Sequence, residues 1–381
     1  MRKSIAIIIT SILVLSGCNK QQSVSDRLLN EVEKAIAINP DSASNLLNSI
    51  SSPEKLDDKT FARWCMLSGK ITDEIFNSIL PTYQLERAYD WYSSHGSPDE
   101  QVQILIYLGR SYFADGDYDK AMSIYTNALD IAEKNKLNNL TGYTYSYIGD
   151  LYGEKFMRTE AIKRYKAAAE CFKKENNTDS YACALRDVGR EYACIDSLSR
   201  ALKILTIADS VARNTKNIEV TASIDNALGN IYAMQNKYDK AEKYLLKALL
   251  TGREKMPDYV ALIDLYTTSG SINKAKELLS KIPQDNPQYT CSIKYLYYQI
   301  YNAEENYKEA LVNLEEYVNM VDSIVYADSQ SKILDIESKY NHLKISKEVD
   351  YKEYLNQYDV IKINIQEFLS MSMSVEEMLN M

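Results

Sequence analysis

A pattern of apolar residues, glycine and tyrosine recurs along the middle of the chain. Each copy has an apolar residue, then a glycine, and a tyrosine three residues after the glycine. An alanine, a large apolar or aromatic residue and a second alanine follow at fixed distances. The copies are Leu108-Gly109-Tyr112-Ala121-Tyr125-Ala128, Ile148-Gly149-Tyr152-Ala161-Tyr165-Ala168, Val188-Gly189-Tyr192-Ala201-Leu205-Ala208 and Leu228-Gly229-Tyr232-Ala241-Leu245-Ala248. Each begins 40 residues after the previous one, which indicates repeated structural units rather than an ordinary helical bundle.

The spacing within each copy predicts two helices joined by a turn. The apolar residue, the glycine and the tyrosine fall on one face of a first helix. The alanine, large residue and alanine form a stripe on a second helix, because positions i, i+4 and i+7 share a face. Turn-forming stretches such as residues 114–117 and 234–237 lie between them. A glycine inside a helix costs about 1 kcal/mol relative to alanine, so we expect its recurrence to reflect close approach of the partner helix.

Weaker versions of the pattern extend it on both sides. Upstream lie Ala43-Leu47-Ile50 and the segment 60–96, and downstream lie Tyr266-Ala275-Leu279-Ile282 and Tyr301-Ala310-Leu314. No proline occurs between Pro98 and Pro257. This agrees with continuous helix, since proline removes a helical hydrogen bond and breaks the helix.

The repeated string resembles the tetratricopeptide repeat, whose usual period is 34 residues. The resemblance implies an all-α, right-handed superhelical α-solenoid of about six to eight helical hairpins, and the longer period here implies longer helices. The expected organisation is a signal peptide at 1–17, a tether at 18–25, divergent hairpins at 26–98, four strong repeats at 99–255, two further repeats at 256–320, and a long C-terminal helix with a tail at 321–381.

The N-terminus has the composition of an export signal. Arg2 and Lys3 precede an apolar run over residues 5–15, which is too short to span a bilayer comfortably. The run ends in Leu-Ser-Gly-Cys, which resembles the bacterial lipobox and implies that Cys18 carries lipid. An ordinary cleaved signal or an anchor is the alternative. Because Asn19 follows the cysteine, the resemblance to known lipoproteins implies an outer-membrane protein that faces the periplasm.

The repeat pattern fades after about residue 320. Ile333, Ile336, Tyr340 and Leu343 form an apolar seam, which is typical of a capping helix or of a coiled coil that makes a homodimer. Residues 335–340 also resemble a bacterial family in which an exported repeat region leads, through a membrane helix, to a cytoplasmic regulatory domain. The apolar residues at 361–381 are interspersed with charged and polar ones, so this tail is not expected to span a membrane.

Composition and motifs argue against several classes of function. The net charge of −9 becomes −11 if Arg2 and Lys3 leave with the signal, which disfavours nucleic-acid binding. With two histidines far apart and no phosphate loop or hydrolase motif, we expect no enzyme activity, no cofactor and no metal site. Cys183 and Cys194 occupy positions of small core residues, so buried thiols are expected there, although a disulfide remains open.

The tetratricopeptide resemblance implies which residues would face a ligand. The groove-facing positions of the first helices lie outside the packing set. They map to Ile106, Arg110, Phe113, Tyr143, Ser146, Asp150, Arg186, Arg190, Asn226, Asn230 and Asp264. Arginine and asparagine donate hydrogen bonds in fixed geometry and therefore suit peptide carbonyls or carboxylates. Solvated helix residues with no ligand are the alternative.

The expected function is a lipid-anchored scaffold that binds a protein or peptide in the groove of the solenoid. Membrane attachment would come from the N-terminal lipid alone. The alternative is the exported sensory half of a signalling system that contains tetratricopeptide repeats. A third possibility is an accessory to nutrient or glycan uptake.

Overall fold

The computed structural model describes residues 25–75, 79–253, 255–286, 289–321 and 323. The predicted signal peptide, the predicted lipidation site at Cys18 and the seam from Ile333 to Leu343 lie outside these residues. Among the described helices, none combines the length and the apolar character that crossing a bilayer requires.

The described residues form sixteen α-helices and one short 3₁₀ helix. The α-helices are α1 (25–36), α2 (Pro40–Asn48), α3 (Asp58–Ile75), α4 (Thr82–His95), α5 (Pro98–Ala114), α6 (Tyr118–Lys134), α7 (Asn138–Glu154), α8 (Arg158–Lys174), α9 (Thr178–Cys194), α10 (Leu198–Ala212), α11 (Ile218–Met234), α12 (Tyr238–Thr251), α13 (Met256–Thr268), α14 (Ile272–Leu279), α15 (Thr290–Ala303) and α16 (307–321). The 3₁₀ helix covers Pro53–Lys55. The expected all-α fold of consecutive helical hairpins is confirmed.

The chain divides into two compact units, one ending at Leu151 and the other beginning at Tyr152. In the first unit, α3 packs on α4, and α5 packs on both α4 and α6. In the second, α8 packs on α9, which packs on α10, and the pairs α11–α12 and α13–α14 follow. Most helices of the strong repeats have 17 residues, so the long period does lengthen the helices.

Tight contact between the two helices of a hairpin explains the recurring glycine. A Cβ atom added to Gly229 would lie 2.5 Å from Cγ of Leu245, and one added to Gly189 would lie 2.6 Å from Cγ of Leu205. In the first unit a Cβ on Gly109 would fall 2.3 Å from the ring of Tyr125. The large residue of the second helix therefore packs directly over the glycine of the first, as the sequence pattern predicted.

Each hairpin turn follows one backbone design. The residue four after the recurring tyrosine has a positive φ, in the left-handed region; these residues are Gly116, Phe156, Asp196, Asn236, Gly270 and Glu305. The next backbone N–H then donates to the tyrosine carbonyl, as from Lys237 to Tyr232 at 2.9 Å. This Schellman arrangement satisfies carbonyls that the helix end would otherwise leave unpaired.

The recurring tyrosine can join successive hairpins through its hydroxyl, while its ring contacts a lysine of its own hairpin. Tyr266 donates to Glu242 of the preceding hairpin at 2.8 Å, and Lys274 of its own hairpin lies 5.3 Å from the ring centroid. In the first unit Tyr112 donates likewise to Glu86. A phenylalanine would keep the packing and lose the hydrogen bond, which accounts for the tyrosine at positions 112 and 266.

A buried charge cluster lies among α10, α11 and α12. The Asp225 side chain is fully buried and pairs with Nζ of Lys247 at 2.6 Å and with Arg213 at 3.5 Å. Burial raises the pKa of the Asp225 carboxyl, although Lys247 and Arg213 oppose the shift. The cluster ties the third and fourth repeats together, whereas the side chain of the next residue, Asn226, bonds to α13.

The cysteine prediction was partly wrong. Cys194 is exposed and Cys183 is half-buried, whereas Cys65 is fully buried. Cys194 is the last residue of α9, where the chain leaves the helix for the turn, so the helical register no longer places it in the core. In the part of the chain that the structure describes, the five cysteines form no disulfide.

Candidate functional site

The first helices of successive hairpins lie side by side in the second unit. Helix α9 packs on α11, α11 packs on α13, and α13 packs on α15. Polar side chains join these helices in a row, which we call the first-helix face; it consists of Arg186, Arg190, Asn226, Asn230, Asp264 and Gln299.

The α9 end of the face carries two arginines. Arg186 is mostly buried; it pairs with Asp187 at 2.9 Å and donates from Nη1 to Ser223 Oγ on α11 at 3.0 Å. Arg190 lies one helical turn further on, where 66% of its side chain is exposed and its guanidinium is 4.0 Å from Asp187. Arg186 therefore holds two helices together, while Arg190 presents its charge to solvent.

Asparagines occupy the middle of the face. Asn226 Nδ2 donates to Asp258 Oδ1 on α13 at 2.6 Å, and Asn230 Nδ2 donates to Asn226 Oδ1 at 2.9 Å. Asp258 is buried, and Asn230 is exposed. The bond to Asn226 orients the amide of Asn230, whose Oδ1 acceptor and second N–H hydrogen have no partner among the described residues.

The α13 end of the face is acidic. Asp264 is exposed, and its Oδ1 accepts a hydrogen bond from Gln299 Nε2 on α15 at 3.2 Å. An ionised carboxylate has about four acceptor sites, so most of the capacity of Asp264 remains for another donor. The face thus changes from cationic on α9, through amides on α11, to anionic on α13.

In the first unit, Arg110 is committed to internal contacts. It pairs with Asp73 of α3, and its guanidinium lies 5.4 Å from the Tyr147 ring centroid of α7. Tyr107 also donates to Asp73, at 3.1 Å. Burial, and then the charge of Asp73, raise the pKa of Tyr107, so this phenol stays neutral. The pocket beside Arg110, which Gly69 also lines, is too small to hold a peptide.

The other predicted groove residues of the first unit differ in their exposure to solvent. Ile106 is 5% exposed and belongs to the core, because it packs among the apolar residues of α5. Phe113 is half-buried with its ring edge against Tyr118 at 5.5 Å. Tyr143 and Asp150 are exposed, and Ser146 is half-buried.

Several partners in the row were missed by sequence reasoning. Gln299 stands two residues before Tyr301, as Asp264, Asn230 and Arg190 stand two residues before their tyrosines, so the register alone would have found it. Ser223 and Asp258 carry no such signal in the sequence. They become partners only because neighbouring first helices pack side by side.

The side chains of the first-helix face are of the kinds that bind ligands in proteins. Guanidinium, amide and carboxylate groups on adjacent helices can bind main-chain amides and charged ends. Burial raises the pKa of the nearby Cys183 thiol although Arg186 opposes the shift, so the thiolate is disfavoured. Within the part of the chain that the structure describes, no group of three potential ligands could hold a metal ion.

Two family models, both described as tetratricopeptide repeat, match residues 100–174 and 221–256. No curated protein matches the chain in sequence.

Solved structures resemble the fold at low sequence identity. A Rap protein complexed with Competence and Sporulation Factor has a TM-score of 0.63 at 18% identity, over 80% of this chain and 88% of that one. The apo form of the quorum sensor NprR from B. thuringiensis has a TM-score of 0.55 at 15% identity, over 89% and 98%. NprR in complex with its cognate peptide NprX has a TM-score of 0.52 at 15% identity, over 90% and 99%.

Proposed function

Because this chain is a tetratricopeptide repeat protein, we propose that it is a lipid-anchored scaffold that binds a peptide, or an extended segment of a partner protein, on the first-helix face of the second unit. One observation supports this most: polar side chains of four adjacent helices form a hydrogen-bonded row whose outer members, Arg190, Asn230 and Asp264, are exposed.

The row is organised before any ligand arrives. Asn226 and Arg186 are held by partners on the neighbouring helices, at 2.6 and 3.0 Å, and Asn230 and Arg190 stand one turn from them. Side chains that are already ordered lose less entropy when a ligand binds, so a larger part of the contact energy appears as affinity. The hydrogen bonds of Arg186 and Asn226 to neighbouring helices distinguish these residues from helix residues that contact only solvent.

The structural relatives support a peptide as the ligand. One of them is a quorum sensor that was solved with its cognate peptide. The likeness is one of fold, and the residues that carry the proposal are those of this chain.

The anchor is the second part of the proposal. Cys18 would carry the lipid, and Asn19 would direct the protein to the outer membrane, facing the periplasm. Metabolic labelling with an alkyne palmitate analogue tests this. The wild-type chain should be labelled and should sediment with outer membranes, and Cys18→Ser should be unlabelled and soluble. Equal labelling of both proteins would contradict the anchor.

Peptide selection tests the binding face. A phage-displayed library of random decapeptides is panned against the purified chain, and synthetic copies of selected peptides are measured by fluorescence anisotropy. Replacing Arg190 and Asn230 together by alanine should weaken binding at least about tenfold. Leu250→Ala, a matched exposed change on α12, should leave affinity unchanged. Failure to select any peptide, or equal loss with both variants, would contradict the proposal.

A sensory role in signalling is the second candidate, and the likeness of fold to a quorum sensor favours it. In that case a bound peptide would change expression of particular genes. Transcript profiles of cells with the wild-type chain and with the Arg190→Ala, Asn230→Ala variant would then differ. Identical transcript profiles in the presence of a binding peptide would exclude the sensory role and leave only the scaffold role.

A further inference from the structure

The exposed residues of the first-helix face share one position in the repeat. Arg190, Asn230 and Asp264 each stand two residues before the recurring tyrosine of α9, α11 and α13. A ligand that crosses these helices therefore meets a cation, an amide and an anion in that order. A symmetric or uniformly charged ligand would gain nothing from this order, whereas a ligand with opposite charges at its ends would be oriented by it.

The two charged ends are available for an ion pair. Arg190 is 66% exposed and 4.0 Å from Asp187, which already pairs with Arg186 at 2.9 Å. Asp264 is exposed and engaged by the neutral amide of Gln299. Neither end is neutralised by a close salt bridge of its own, so each can attract an opposite charge.

The spacing of the helices sets the length of the ligand. Packed helices lie about 8–10 Å apart, so the two steps from α9 to α13 cover about 16–20 Å. An extended chain advances about 3.3 Å per residue, which corresponds to five or six residues. Between the ends, the free Oδ1 and N–H groups of Asn230 match the main-chain N–H and C=O groups of such a strand.

Resting on the proposed function, we propose that the ligand is a short peptide with free ends, about five or six residues long. It lies extended across α9, α11 and α13, with its terminal carboxylate at Arg190 and its terminal ammonium at Asp264. An internal segment of a folded protein has no charged ends and would not use this arrangement.

Double-mutant cycles between protein and peptide ends test the orientation. The probe is the tightest-binding member of a synthetic hexapeptide library with free termini, together with its C-amidated and N-acetylated forms. The variants are Arg190→Gln and Asp264→Asn, each of which removes one charge at an exposed position. Arg253→Gln, 82% exposed outside the face, is the control.

We expect amidation to weaken binding to the wild-type chain about tenfold, and to weaken binding to Arg190→Gln less than about twofold. Acetylation should show the same relation to Asp264→Asn. The crossed combinations, and all combinations with Arg253→Gln, should be additive because those groups do not meet.

Two results would overturn the orientation. One is coupling of the crossed pairs, which means that the peptide runs the other way. The other is an unchanged affinity after both ends are capped. If peptides bind and the loss of Arg190 and Asn230 still weakens them, the proposed function survives either result. If no peptide binds the chain, the proposed function itself fails.

Discussion

Replacing Gly229 by alanine adds one methyl group where the structure has no room for it. The new Cβ would lie 2.5 Å from Cγ and 2.6 Å from Cδ2 of Leu245, and 3.3 Å from the backbone oxygen of Ala241. Leu245 is fully buried, so its side chain cannot swing into solvent. The two helices of the fourth strong repeat, α11 and α12, must therefore move apart.

The magnitude follows from two opposed terms. Inserting a methyl group into a packed core costs about 1–3 kcal/mol. Alanine inside a helix is better than glycine by about 1 kcal/mol. Because the overlap exceeds 1 Å and involves a branched, buried side chain, we place the cost near the top of its range. The free energy of unfolding should fall by about 1–2 kcal/mol.

Gly153→Ala is the matched control, since the new Cβ would meet Oε1 of Glu191 at 3.3 Å and Arg158 at 3.7 Å. These are the ends of flexible side chains, which can shift by tenths of an ångström. This variant should be as stable as the wild-type chain, or more stable by up to about 1 kcal/mol.

Urea unfolding followed by circular dichroism at 222 nm measures both variants, and hydrogen exchange locates the change. In a repeat array each unit contacts its neighbours, so faster exchange should concentrate in α11 and α12. The double variant Gly229→Ala, Leu245→Ala should lose less unfolding free energy than the two single variants lose in sum. The reason is that the smaller side chain at position 245 relieves the overlap. Gly229→Ala that is as stable as Gly153→Ala would refute the packing explanation.

Three further predictions concern other parts of the repeats. The Asp225 carboxyl should titrate above an ordinary aspartate in carbon-detected NMR, because burial disfavours its charge. Since its folded-state pKa is raised, its contribution to stability is greatest below the ordinary aspartate pKa and falls as pH rises through the raised value; Asp225→Asn should abolish this component in unfolding curves at several pH values. Phe156→Asn should raise stability by about 1 kcal/mol in thermal melts, because asparagine tolerates the left-handed backbone better than an 80% exposed phenylalanine; no gain would contradict this. Tyr266→Phe should lower stability by about 0.5–1.5 kcal/mol in urea by removing the hydroxyl bond to Glu242, and Tyr307→Phe, at an exposed position, should have no effect.

The hairpins and their packing were predictable because the repeat encodes them locally. An alanine stripe such as Ala241-Leu245-Ala248 marks the buried side of a second helix, and all three residues are fully buried. The glycine marks the contact with that stripe. These signals are short-range and recur in register, so one chain shows them four times.

The contacts between hairpins were not predictable in the same way. Arg110 has the same repeat position as Arg190, yet it is paired with Asp73 on α3, in a divergent part of the chain that carries no register. Asp258 receives Asn226 because α13 packs on α11. Whether a groove residue is free or committed therefore depends on a neighbour that the repeat pattern does not specify.

The left-handed backbone of Phe156 in the turn of the second repeat was also not readable from the sequence. The equivalent positions hold Gly116, Asp196 and Asn236, which favour or tolerate a positive φ. The repeat spacing therefore predicts a turn in all four repeats, but the residue type favours the left-handed backbone only in the other three. The second repeat makes the same turn because the helices on both sides of it fix the backbone, against the preference of phenylalanine.

Site-specific photo-crosslinking in cells tests the central claim, that the first-helix face is where this protein binds its ligand. A benzoylphenylalanine is placed at position 230 on α11, or at position 250 on α12 where Leu250 is 79% exposed, and the mass of each adduct is determined. We predict an adduct of one defined mass from position 230, absent from position 250, and lost when Arg190 and Asp264 are replaced by alanine. An adduct that forms equally from position 250, or that persists at position 230 after those replacements, would contradict the claim.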